Sequence, residues 1–128
     1  MRLLLDTHTL IWHYEDWPLL SETANQAIDA PGNKLFISVA SLWEMAIKSG
    51  IGKLTLTDPI RTIMAAYVGI GATILTITPD HALATQNLPW HHRDPFDRLL
   101  IAQAVHEGLT LVSRDEVFAS YGQLNRMW

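Results

Sequence analysis

The sequence predicts an α/β fold in which one parallel β-sheet is flanked on both faces by helices. Three observations carry this. Short, unbroken apolar runs recur along the chain, the pattern of strands buried on both faces. Helix-period segments alternate with them, so successive strands are joined by crossovers and run parallel. No repeat, low-complexity tract or linker divides the 128 residues, so residues 1–128 read as one domain.

The elements follow in order. Residues 2–5 (RLLL) read as the first strand. Residues 8–15 (HTLIWHYE) read as a helix with Leu10, Ile11 and Tyr14 on one face. Residues 21–30 (SETANQAIDA) form a second helix, opened by Ser21 and stopped by Pro31-Gly32. The run LFISV at 35–39 is the second strand, and SLWEMAIKS at 41–49 is a helix ending at Gly50. Residues 58–69 begin with Asp58-Pro59, a cap followed by proline in the first turn. TILTI at 73–77 is the third strand, and PDHALATQN at 79–87 a further helix. The helix at 95–107 stops at Gly108, and LTLVS at 109–113 is the fourth strand. A short helix near Asp115 and an edge strand in LNRMW complete the chain.

Composition narrows the class. Hydrophobic residues make up 48% and charged residues 17%, which excludes a disordered chain. There is no cysteine, so disulfides and thiolate metal sites are excluded. The apolar stretch in MRLLLD is too short for a signal sequence, and no run approaches the about 20 residues that cross a bilayer. No membrane association and a cytoplasmic location are therefore expected. The net charge of −4 argues against a general nucleic-acid binder with a basic face. It weighs less against a metal-dependent nuclease, whose own carboxylates would supply that charge.

Four acids stand where apolar segments stop. Asp6 ends RLLLD, Glu44 lies just past LFISV, Asp97 opens DRLLIAQAV, and Asp115 follows TLVS. Parallel, adjacent strands would gather all four at their carboxyl ends, where open parallel sheets bind ligands. Carboxylates in that arrangement suit a hard divalent cation and phosphodiester chemistry. Each also has a local reading. Asp6 can cap helix 8–15 and Asp115 the last short helix. Ser41-Leu-Trp-Glu44 matches a capping box, and Asp94-Pro95-Phe96-Asp97 a similar arrangement with Asp94 as cap. Asp6 fits this reading least well, because Leu3, Leu4 and Leu5 place it at the end of a buried strand, where a charge needs a partner.

Other residues offer weaker signals. His91, His92 and Asp94 could form a zinc site, but no HExxH or CxxC motif accompanies them, and an exposed loop is the better reading. His8 and His13 belong to a helix surface or the substrate side. Tryptophans 12, 17, 43, 90 and 128 are core or interface candidates; Trp12 and Trp43 flank the acids, where one could stack on a base. Arg93, Arg98 and Arg114 could meet phosphates or pair with acids, with Lys48 and Lys53 as lesser candidates.

The segments LLLDTHTLIW, ISVASLWEMAIKSGIGKL, HRDPFDRLLIAQA and LVSRD occur in the order and spacing of a known family. The chain resembles the PIN-domain ribonucleases, and within them the VapC-like toxins of type II toxin–antitoxin systems. The resemblance implies a PIN-like three-layer sandwich with a central parallel sheet. It implies that Asp6, Glu44, Asp97 and Asp115 are the catalytic acids and hold one or two Mg2+ or Mn2+ ions. Asp6, Asp97 and Asp115 would be the principal ligands, and Glu44 a ligand or a base that positions water. Thr7, Asp94, Arg98 and Ser113 are implied to support those acids or to contact substrate. The expected activity is hydrolysis of RNA phosphodiester bonds, inhibiting growth or translation. The alternative is a non-toxin nuclease or a non-catalytic RNA- or protein-binding module of the same fold. The resemblance also implies a homodimer and a cognate antitoxin, whose helix would dock on the surplus apolar residues Trp43, Met45, Ile47, Ile60, Ile63, Met64 and Tyr67. Haloacid-dehalogenase-like phosphatases need a second Asp where this chain has His8. Receiver domains need an acidic pair where it has Asp6-Thr7. The target RNA and the number of metal ions are not legible in the residues.

Overall fold

The computed structural model describes residues 1–128 and places five strands in one parallel sheet of order β3-β2-β1-β4-β5. The strands are β1 (Arg2–Leu5), β2 (Lys34–Ser38), β3 (Thr73–Leu75), β4 (Thr110–Val112) and β5 (Asn125–Met127). The helices are α1 (Thr7–Tyr14), α2 (Glu22–Asp29), α3 (Val39–Gly50), α4 (Ile60–Gly69), α5 (Pro79–Ala84) and α6 (Pro95–Glu107). This is the three-layer sandwich that the alternation of patterns predicts.

β1 is central because it is the most apolar. Leu3, Leu4 and Leu5 are all fully buried. Leu4 pairs in register with Phe36 of β2 and Leu111 of β4. Alternation along β1 sends Leu3 and Leu5 into one core, with Leu10, Met45, Ile63 and Tyr67. Leu4 enters the other, with Leu100, Ile101, Leu111 and Phe118. Two cores, one on each face, require the continuous apolar strand rather than an alternating one.

Chain order runs one way from β1 through β2 to β3 and the other way through β4 to β5. The reversal between β1 and β4 opens a crevice at their carboxyl ends. Asp6 and Ser113 each stand one residue past those strands.

Several local expectations change. α3 begins at Val39, not Ser41: Ser38 is the cap, its Oγ accepting from Ala40 N at 3.0 Å. The Ser41–Glu44 capping box does not form, and Glu44 falls in the second turn. α4 begins at Ile60 without a side-chain cap. Asp58 instead accepts from the Tyr14 hydroxyl at 2.6 Å. The segment 79–87 divides into α5 and a 3-10 turn, Thr85–Asn87. Asp115 caps a second 3-10 turn, Glu116–Ser120, rather than an α-helix. The apolar surplus on α3 and α4 is smaller than expected, since Met45, Ile63 and Tyr67 belong to the core. Trp43 and Ile47 stay exposed.

Candidate active site

The rim at the carboxyl ends of β1 and β4 is built on a few hydrogen bonds. Asp6 caps α1, Oδ1 accepting from Thr9 N at 3.0 Å. Its Oδ2 accepts from the Ser113 hydroxyl at 2.5 Å. Ser113 Oγ in turn accepts from Asp115 N at 3.1 Å, so one buried hydroxyl joins the first acid to the segment carrying the last. Asp115 Oδ1 accepts from Val117 N at 3.0 Å.

Glu44 is only 3% exposed. A carboxylate so buried needs donors on both oxygens. Thr7 Oγ1, which also lies 3.0 Å from Ser41 Oγ, donates to Oε1 at 2.7 Å; Lys48, one turn along α3, donates to Oε2. This pairing raises the Lys48 ammonium above its ordinary pKa. Asp97 lies in the first turn of α6, behind the cap Asp94, whose Oδ1 accepts from Asp97 N at 3.0 Å.

Asp6, Glu44, Asp94, Asp97 and Asp115 all line one open cleft of about 670 Å³. Its remaining lining includes His8, Trp12, Lys48, Arg114, Glu116, Arg126 and Trp128. Trp12 meets Trp128 edge-on at 6.0 Å, and the Arg114 guanidinium lies 6.0 Å from the Trp12 ring centre. The cleft thus carries an acidic group and an aromatic, cationic group together.

Burial pushes the Asp97 carboxyl up to about 8, and the charges of Asp94, Asp6, Glu44 and Asp115 push in the same direction. Burial likewise raises Asp6, against the lowering effect of Ser113 and the α1 backbone. An opposing charge of two or more would relieve both. The donor set is all carboxylate oxygen, which fits a hard cation such as Mg2+ or Mn2+ and not a thiol- or imidazole-seeking one. No three of the rim acids bring donor atoms within 4.8 Å of one another; the one group that does is His81, His106 and Glu107. That group is separate. Glu107 is ten residues from Asp97 along α6, about 15 Å away at 1.5 Å per residue. His81 Nδ1 there accepts from Thr78 N, which leaves the proton on Nε2 facing Glu107 at 2.8 Å. The ring's one remaining lone pair, on Nδ1, is already taken by the Thr78 N–H.

The supporting residues separate into two groups. Thr7, Ser113 and Asp94 stand against or among the acids, as described. Arg98 does not meet the cleft, and its expected contact with a substrate phosphate is replaced by another role. Only 4% exposed, it donates to the carbonyls of Thr85, Leu88, Pro89 and His92, and stacks 3.8 Å from the Trp90 ring. Arg93 is exposed and Lys53 lies outside the cleft. Trp43 also lies outside it, edge-on to Phe96 at 5.3 Å. His91 is exposed, but His92 is not the solvent residue expected: its side chain is 16% exposed, packed on Phe118 and Tyr121. Arg126, Trp128 and Glu116 are cleft residues that the sequence reading missed. For the first two the signal is partial: residues two apart in an extended segment share a face, but only the pairing of β5 with β4 says which face.

Comparison with known proteins fits this geometry. The PIN domain family model matches residues 3–124. The chain belongs to the PIN-domain family. Ribonuclease VapC22 of Mycobacterium tuberculosis is 30% identical over 120 residues, covering 93% of this chain and 91% of that protein. Among solved structures, the VapBC2 complex of Rickettsia felis bound to a promoter DNA fragment matches with a TM-score of 0.74 at 19% identity, covering 99% of this chain and 98% of the other. A toxin–antitoxin complex from Klebsiella pneumoniae matches with a TM-score of 0.63 at 25% identity, covering 95% and 94%. This PIN chain is VapC-like in sequence, and the solved structures it resembles include VapBC and other toxin–antitoxin complexes. No helix is long and apolar enough to cross a membrane.

Proposed function

We propose that this protein is a divalent-metal-dependent endoribonuclease and the toxin of a toxin–antitoxin pair. The observation that carries the reading is one cleft receiving Asp6, Glu44, Asp97 and Asp115 from four separate segments. Asp6, Asp97 and Asp115 are the principal ligands for Mg2+ or Mn2+ in this reading, and Glu44 binds directly or orients a water. A bound ion supplies a water of lowered pKa and screens the phosphate. The chain supplies the rest. Ser113 holds Asp6 against the β4 rim, and Thr7 with Lys48 holds Glu44. Arg114 and Arg126 give positive charge for phosphate oxygens, and Trp12 and Trp128 give aromatic surface to an unstacked base.

The relative named a ribonuclease supports the RNA substrate. The relatives solved as toxin–antitoxin complexes support a cognate antitoxin. A homodimer working in the cytoplasm completes the proposal. The test incubates purified protein with total RNA in Mg2+, in Mn2+ and in EDTA, beside Asp97→Ala. Metal-dependent cleavage lost in the variant is expected. Equal cleavage by both proteins, or none by either, would overturn the enzyme and leave a non-catalytic module. Expression alone should arrest growth, and co-expressed antitoxin should relieve it. Harmless expression of an active chain would remove the toxin role alone.

A further inference from the structure

Three of the four rim acids have a donor that fixes their carboxylate. Asp6 accepts from Thr9 and Ser113, Glu44 from Thr7 and Lys48, and Asp115 from Val117. Asp97 has none; the nearest group of the right kind is His92, whose Nε2 is 3.5 Å from Asp97 Oδ2. That Nε2 is buried and bonded to nothing. A donor without an acceptor beside an acceptor without a donor is unusual inside a protein.

His92 is held in readiness for this contact. The Tyr121 hydroxyl lies 2.7 Å from Nδ1, and donation from it leaves the imidazole proton on Nε2, facing Asp97. Phe118 and Tyr121 pack edge-on against the ring at 5.7 and 5.6 Å. The His92 carbonyl accepts from Arg98, the residue after Asp97 on α6. The loop carrying His92 and the helix carrying Asp97 are therefore tied together by one guanidinium.

We propose that His92 is a positioning residue for Asp97: its Nε2–H donates to Oδ2 and fixes the one rim carboxylate that has no other donor. The inference rests on the metal reading above and assigns a residue outside the four acids to it. Ligating carboxylates are commonly oriented in this way, and loss of the orienting group weakens metal binding about 10- to 100-fold. The two atoms stand 3.5 Å apart, within about half an ångström of hydrogen-bond length. Tyr121 then acts through His92, as the group that fixes its tautomer.

Titration calorimetry of Mn2+ into the intact protein tests this. His92→Phe keeps the packing against Phe118 and removes the donor; it should weaken Mn2+ about tenfold or more. His92→Gln restores an N–H at the same reach and should recover most of that loss. Tyr121→Phe leaves the ring in place with its tautomer free, and should weaken Mn2+ by a few-fold. Wild-type affinity in a folded His92→Phe protein would overturn the proposal, as would equal loss in the Phe and Gln variants, which marks packing alone. Should His92→Phe not fold, unchanged affinity in Tyr121→Phe overturns it instead. A wild-type protein that binds no Mn2+ would end the metal reading itself, and this proposal with it.

Discussion

Asp97 should destabilise the metal-free protein, and Asp97→Asn should stabilise it. Asp97 titrates near 8 in the fold against an ordinary value of 3.8. Below pH 4 the acid is protonated in both folded and unfolded chains and contributes nothing. Between pH 4 and 8 the unfolded chain has lost the proton and the folded chain keeps it, so stability falls as pH rises, by about 1.4 kcal/mol per pH unit. At pH 7 the accumulated cost has a ceiling of about 4 kcal/mol, and well above pH 8 of about 6 kcal/mol. Relaxation of the neighbouring acids reduces both. Asparagine carries no charge at any pH and offers donors to those neighbours. Urea unfolding in EDTA at pH 5, 6, 7 and 8 should show the variant more stable by about 1–4 kcal/mol at pH 7, with the gap widening as pH rises. Saturating Mg2+ should narrow the gap, and reverse it where the gap in EDTA is below about 2.7 kcal/mol. An ion at one hundred times its Kd adds about 2.7 kcal/mol to the wild type and little to a variant that has lost a ligand. Parallel pH profiles in EDTA, or a variant less stable than wild type throughout, would refute the claim that these carboxylates crowd one another.

Arg98→Ala should destabilise the fold by about 2–4 kcal/mol, because it strands the carbonyls of Thr85, Leu88, Pro89 and His92, and Arg98→Lys should rescue only part, having no planar fork; urea midpoints check this. Thr7→Val removes the donor to Glu44 Oε1 and should cost about 1–3 kcal/mol in stability along with cleavage rate, whereas Thr7→Ser should restore both. In an inactive Asp97→Asn background, Trp128→Ala should weaken single-stranded RNA by about 1 kcal/mol, roughly fivefold in Kd, while Trp43→Ala, outside the cleft, should leave it unchanged. Fluorescence anisotropy with a labelled oligonucleotide separates the two.

The strands were legible because Leu3-Leu4-Leu5 and its neighbours are apolar without a break, and only a sheet covered on both faces uses such runs. The acids were legible as a group because Asp6, Glu44 and Asp115 follow or closely trail strands and Asp97 opens a helix that returns to the same rim. The start of α3 was not. Ser41 and Glu44 match a capping box in spacing, but Ser38 takes the cap, and Ser41 lies fully buried inside the helix. Spacing alone cannot rank two serines three residues apart when the intervening Val39 and Ala40 tolerate either conformation. The partners of Arg98 are not legible for a non-local reason: they are carbonyls of a loop that folds back over α6, and nothing near Asp97 in the chain announces them. Arg126 and Trp128 became cleft residues only once β5 paired parallel to β4, with Leu111 opposite Arg126.

Capping a helix and lining the cleft are not alternatives for these acids. Asp6 caps α1 and lines the cleft; Asp115 caps a 3-10 turn and lines it as well. Asp97 follows the cap of α6 and lies in its first turn. Each helix starts where a strand or its loop has delivered the chain to the rim, so parallel topology brings helix N-termini together there. Each N-terminus carries about half a positive charge and unsatisfied N–H groups, and favours an acid. The fold therefore gathers carboxylates at this rim for backbone reasons before any ligand is considered. Glu44 is the exception, since it sits in the second turn of α3, away from any free N–H, and depends on Thr7 and Lys48. From the chain alone Asp6 was the acid that capping explained least well. In the fold that residue is Glu44, a buried carboxylate with no helix terminus to answer for it, and so the acid whose place in the cleft most needs a function.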